Sequence, residues 1–187
     1  MSDTKRDEKI KKATLKDSGL YLEYDEIIEN EEDGPVINVH KVMGGHKPHQ
    51  DLTNAFKALH VHLALICEQM SENNGIVSIK KKSSSEILSS MRTLEMVNQH
   101  SVTGFSIGGE DEHEGVTLIG QRKLTSGDVL NLISPFKKWS SDYKHASDLE
   151  VEMQVVLQEC LEYLHGKHAP NPQLELELDT DQKEHAA

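Results

Sequence analysis

The residues best suited to chemistry are aromatic and basic side chains that interleave late in the chain, in Pro135-Phe136-Lys137-Lys138-Trp139, followed by Tyr143. Aromatic rings stack on the bases of single-stranded nucleic acid while ammonium groups contact its phosphates. Basic residues on neighbouring predicted strands would extend this aromatic and basic surface. We therefore predict a nucleic-acid-binding site made of Lys41, Arg122, Lys123, Phe136, Lys137, Lys138, Trp139 and Lys144. Alternatively, the aromatic pair only anchors the chain where it crosses into the second predicted helix.

A second candidate site lies in the acidic tail, which we place at residues 170–187. After Pro170 and Pro172 the sequence reads Gln-Leu-Glu-Leu-Glu-Leu. Such a tail favours a disordered segment whose spaced leucines dock into a partner's groove. It is similar to the sliding-clamp-binding peptides of bacterial replication proteins, although Glu177 intrudes and the final phenylalanine is missing. The predicted partner-binding residues are Gln173, Leu174, Leu176 and Leu178. The same alternation would also fit a last edge strand.

Metal ligation has weak support despite 11 histidines. His46 and His49 precede the first predicted helix and could face one ion. His60 and His62 lie two apart on that helix, so they point about 200° apart and cannot share an ion. The acidic run at residues 110–114 lacks EF-hand spacing, which favours a solvated hairpin tip. We therefore expect no metal and no other cofactor.

Catalytic motifs are missing from the sequence as well. Cys67 and Cys160 occupy helical apolar stripes or their flanks, which favours reduced core thiols over nucleophiles. No G-x-S-x-G elbow occurs, and the paired glycines at 44–45 and 108–109 are too short for a phosphate-binding loop. We therefore expect a protein that is not an enzyme.

Charge is unevenly distributed along the chain, whose formal net charge is -12. Three segments hold 16 of the 32 acids, namely 23–33, 110–114 and the tail. Outside them 16 acids and 19 bases remain, a net charge of +3. The net negative charge of the whole chain argues against a protein coated with positive charge for duplex DNA or anionic lipid. Two interpretations remain open. Either a basic face binds polyanions while the acidic tail competes for that face, or the acidic loops only maintain solubility.

No apolar run approaches the ~20 residues that span a bilayer, and the charged N-terminus has no signal-peptide core. We therefore expect a cytoplasmic protein with no membrane partner.

The elements that must position these residues follow one order twice, three strands and then a helix. Alternating apolar residues predict strands at 11–16, 20–28 and 35–43, and then at 102–107, 116–124 and 129–133. Apolar stripes predict helices over 49–70 and 147–165, the latter with a Ser147–Glu150 capping box. The predicted class is α+β, with antiparallel strands packed by two amphipathic helices. The predicted organisation is a disordered arm at 1–9, one domain at 10–169 with units 10–70 and 101–169, and an insertion at 71–100 that contains one short helix.

Several stretches resemble a family of small acidic phage and prophage proteins that is itself uncharacterised. They are residues 49–56 (HQDLTNAF), 66–68 (ICE), 102–106 (VTGFS), 115–118 (GVTL) and 159–167 (ECLEYLHGK). This resemblance implies a phage-encoded protein located in the host cytoplasm, and it carries no catalytic residues. The repeated strand-and-helix order is also similar to the single-strand-binding folds of the coactivator and plant Whirly proteins, a fold-level analogy.

We therefore predict a phage-type accessory protein that binds single-stranded DNA in replication or recombination. One alternative is a counter-defence or inhibitory protein that binds a host defence or replication protein through its acidic loops or tail. Another is a homo-oligomer that sequesters nucleotides at subunit interfaces.

Overall fold

The computed structural model describes residues 6–29, 34–72 and 83–170, and it confirms the predicted α+β class. The strands are β1 Arg6–Lys16, β2 Gly19–Ile28, β3 Val36–Met43, β4 His100–Gly108, β5 Gly115–Lys123, β6 Val129–Ile133 and β7 Lys137–Lys138. The helices are α1 Gln50–Ala58, α2 His60–Ile66, α3 Ser84–Arg92, α4 Glu95–Asn98 and α5 Ala146–Leu164, with a short 3₁₀ turn at Asp111–His113.

The strands form one continuous antiparallel sheet in the order β3-β2-β1-β4-β5-β6, and β7 pairs with the other end of β5. Each predicted unit supplies a three-strand meander. The two meanders join along their first strands, where Ala13 of β1 lies opposite Phe105 of β4. The longest strands are therefore central, and β3 and β6 lie at the two edges of the sheet.

The helices cover one face of this sheet. Side chains alternate across a strand, so Leu20 and Leu22 of β2 share a face and both are buried. They join one core with Phe56 of α1 and Met153 of α5. Cys160 is also buried in this core, and burial raises the pKa of its thiol. Burying a Leu, Phe or Met side chain contributes about 1.5–3 kcal/mol relative to leaving it exposed, so this layer dominates the stability of the fold.

The first predicted helix is two helices, because the chain turns at Leu59 between α1 and α2. The predicted apolar stripe is nevertheless retained, since Phe56, Leu59 and Leu63 are all buried in the core. The α2 helix ends at Ile66, four residues before the predicted end at residue 70, and Glu68 follows with a positive φ of 54°.

The segment between the two units forms a second small core. Met70 and the outer face of α2 pack against Ile87, Leu88 and Met91 of α3, together with Val97 of α4. The α3 helix begins with a capping box in which the Ser83 hydroxyl accepts a hydrogen bond from the Glu86 amide. This segment contains the short helix that the sequence predicts, and it packs on the body of the protein.

Two local predictions differ from the structure. Residues 6–9 belong to β1, so that part of the predicted arm is a strand. The acidic run that begins at Glu23 starts inside β2, within the predicted strand at 20–28, where Glu23 pairs with Lys41 and Asp25 with Lys11. The predicted capping box of the last helix does not form, since α5 begins at Ala146 and places Ser147 inside its first turn.

Candidate nucleic-acid interface

The sheet has a second face on which no described helix packs. The buried strand residues of the main core all lie on the helix side, so their neighbours along each strand point the other way. Thr14 of β1, Ser106 of β4 and Thr117 of β5 lie near its centre and are partly exposed. We call this surface the open face.

Lysines outnumber acids on the open face. The register places seven lysines and three acids there, namely Lys9, Lys11, Lys12, Lys16, Lys41, Lys123, Lys138, Asp7, Glu23 and Asp25. The rest of the described chain carries 20 acids and eight Lys or Arg residues. Among the described surfaces, positive potential is therefore concentrated on the open face.

Three of these lysines are compensated by nearby carboxylates. The Nζ of Lys9 lies 2.6 Å from Glu114, that of Lys41 lies 3.5 Å from Glu23, and that of Lys11 lies 3.9 Å from Asp25. The other four form no ion pair with any described residue: Lys12, Lys16, Lys123 and Lys138, whose Nζ lies 3.1 Å from the ring of His113. Their charges are thus available to an external anion.

Aromatic groups reach the open face at two places. Tyr21 lies between Thr14 and Met43 in the register, and its hydroxyl donates to Glu23 at 3.4 Å. Phe136 is exposed at the margin, where a Cβ built on Gly108 would lie 3.6 Å from its ring. These rings offer two stacking surfaces at separate positions.

The structure brings four of the eight predicted binding residues to the open face or its margin, namely Lys41, Lys123, Phe136 and Lys138, which pairs with Gly115 of β5. Arg122 directly precedes Lys123 on β5 and therefore lies on the helix side, where its guanidinium donates to Gln69 at 3.2 Å.

The remaining predicted residues lie away from the open face. The half-buried Trp139 donates its indole N–H to Glu114 at 3.4 Å. Lys137 lies 6.0 Å from the ring centre of Tyr143, and Lys144 pairs with Glu72. The predicted cluster is therefore divided among several surfaces. The four predicted partner-binding residues of the tail lie outside the described residues.

A polar network that the sequence analysis did not predict links α2, α3 and α5. His145 is buried, and its ring contacts Ser84 at 2.6 Å and Glu72 at 3.1 Å. The Ser84 hydroxyl also donates to Asp148. Burial lowers the pKa of His145 even though Glu72 opposes that shift. The members of the whole network lie up to 90 residues apart in sequence, from His62 to Glu152, so no local pattern could have revealed them.

The same network continues through a second buried histidine. His62 Nδ1 lies 2.9 Å from the Tyr143 hydroxyl, and its Nε2 lies 3.3 Å from Glu152, which also pairs with Arg92. Burial raises the pKa of Tyr143, and the nearby Glu152 reinforces that shift. Within the described ranges no three His, Cys, Asp or Glu side chains are arranged to hold a metal ion. We interpret the network as a buried support between helices.

Comparisons of the chain with protein-family models, curated proteins and solved structures find no match. Among the described residues, no helix has the length and apolar composition needed to cross a membrane.

Proposed function

We propose that this chain is a non-enzymatic, phage-type accessory protein that binds single-stranded nucleic acid in replication or recombination, and that the open face is the binding surface. The observation that carries the proposal is the excess of lysines on an uncovered sheet face, in a molecule that is otherwise acidic. Uncompensated lysines contact phosphates in any sequence context, and Tyr21 and Phe136 supply rings for stacking.

The dimensions of the sheet suit this role. Strands lie ~4.8 Å apart, so six strands span ~24 Å, enough for a site of at least ~4 nucleotides. Small polar side chains such as Thr14, Ser106 and Thr117 separate the lysines, and because they are short they do not block access to the centre of the open face. Binding would therefore depend on salt and only weakly on base sequence.

The test is a fluorescence-anisotropy titration of a labelled oligothymidine at several salt concentrations. Lys12→Glu/Lys16→Glu should weaken binding at least tenfold and reduce the log–log salt slope by about 2. The control Lys47→Glu/Lys57→Glu makes the same charge change on exposed residues of the β3–α1 loop and of α1, and should have a smaller effect. A chain that ends at Pro170 should bind more tightly, because it lacks the competing acidic tail. Absence of low-salt binding by both the full and the shortened chain would refute the proposal.

The acid excess outside the open face favours a second candidate, in which the chain inhibits a host protein by presenting an acidic surface. In that case the open-face substitutions would leave partner capture unchanged, and charge reversals among the 20 acids elsewhere would abolish it.

A further inference from the structure

The edge strand β3 carries an unusual amount of exposed apolar surface. Val36, Ile37, Val39 and Met43 are each about half exposed or more, with Val39 at 63%. No described strand pairs with the outer edge of β3. Long, apolar, unpaired edges are pairing sites that native proteins usually cover or interrupt.

The end of the described chain already runs beside the segment that follows β3. After α5 the chain reverses at Gly166, whose φ of 101° favours glycine. His168 then forms an antiparallel bridge with Pro48, and the Ala169 amide donates to the Lys47 carbonyl at 2.9 Å. The rings of His46 and His168 stack at 4.4 Å.

We propose that β3 accepts the chain's own segment 173–178 as an additional antiparallel strand. Seventeen residues follow Pro170, which is enough chain to cover the eight residues of β3. Extending the observed bridge places Glu175 opposite Lys41 and Glu177 opposite Val39. The first of these pairs joins opposite charges.

The backbone of β3 supports this register independently. Gly44 donates to Leu20 of β2, so Gly44 and the even-numbered residues of β3 direct their backbone groups toward β2. Backbone groups alternate along an antiparallel strand, so Val39 and Lys41 direct theirs to the outer edge. The extended register makes these two the hydrogen-bonded partners of Glu177 and Glu175.

The two tail prolines fit the same register. Pro170 and Pro172 are even-numbered, so they would take positions whose backbone nitrogen points away from β3, where a missing N–H costs no ladder bond. The even-numbered leucines would lie on the helix side of the sheet, with Leu174 beside Val42. The inference concerns the fold and does not depend on nucleic-acid binding.

Residue-resolved amide hydrogen exchange on the full chain tests the proposal. In the wild-type chain the amides of Val39 and Lys41 should exchange at least tenfold more slowly than in Glu177→Pro, because the proline removes a backbone N–H that would donate to β3. Gln182→Pro, beyond the added strand, should retain the slow rates. Lys41→Glu should accelerate exchange, and adding Glu175→Lys should restore protection.

Light scattering on the same samples separates the tail from a second copy as the occupant. A monomer with protection that Glu177→Pro removes supports the proposal. Equal exchange rates in the wild type and Glu177→Pro would overturn it, and so would a dimer whose β3 protection survives that substitution.

Discussion

Lowering the pH from 7 to 5 should destabilise the fold through His60. Burial lowers the pKa of this half-buried imidazole to about 4, and the charges of Lys57 and His100 reinforce the shift. In the unfolded chain the pKa of histidine is about 6.5. The unfolded state therefore binds more protons between these two values, so stability falls as the pH drops below about 6.5.

The size of the effect follows from the same two pKa values. The full shift would remove about 2 kcal/mol of unfolding free energy between pH 7 and pH 5. Partial exposure of His60 reduces the expected loss to about 1 kcal/mol. Burial also lowers the pKa values of His100 and His145, so these groups add to the loss in the same direction.

Urea unfolding at both pH values, on the wild type and His60→Gln, measures the contribution of His60. The variant should lose less stability on acidification than the wild type, by about 1 kcal/mol. His165→Gln is the comparison variant, because that histidine is exposed beyond the end of α5 and lies 2.7 Å from Glu8, so its removal should not reduce the loss of stability on acidification. The reasoning fails if wild type and His60→Gln lose equal stability between pH 7 and pH 5.

Two further predictions concern packing. Glu152→Ala removes the carboxylate that contacts both Arg92 and the buried His62. It should lower the free energy of unfolding in urea by about 2–3 kcal/mol, whereas Glu150→Ala on the same helix should change it little. Equal losses in the two variants would contradict the role of Glu152 in the network. Gly120→Ala would place a Cβ 2.2 Å from the Ser101 carbonyl oxygen, so it should cost about 1–3 kcal/mol by overpacking, measured as a lower Tm. Gly45→Ala has nothing within 4 Å of the new Cβ and should leave the Tm nearly unchanged.

Local periodicity was sufficient to predict the elements. The four- and three-residue spacing of Leu52, Phe56, Leu59 and Leu63 predicts a helical core face, and all four are buried. Alternation in β2 likewise places Leu20 and Leu22 in the core. The pairing of β1 with β4 could not be predicted, because it joins strands about 90 residues apart and local pattern specifies no partner.

The candidate site was harder to predict, because the set of residues that share one sheet face depends on how the strands pair. Arg122 and Lys123 are adjacent in sequence, yet the pleat sends them to opposite faces. Lys12 and Lys16 can be assigned as phosphate contacts only once β1 is known to lie at the centre of a sheet whose open face is uncovered. Trp139 forms a composition-based cluster with Lys138, but its indole is held by Glu114 near the main core.

NMR shift mapping with an added oligothymidine shows which face of the sheet contacts nucleic acid. If the open face is the binding surface, amide shifts concentrate at Thr14, Ser106, Thr117 and their neighbours, and they disappear at high salt. Shifts confined to the helix side, for example at the exposed Val151 and Val155 of α5, would contradict this assignment of the binding surface.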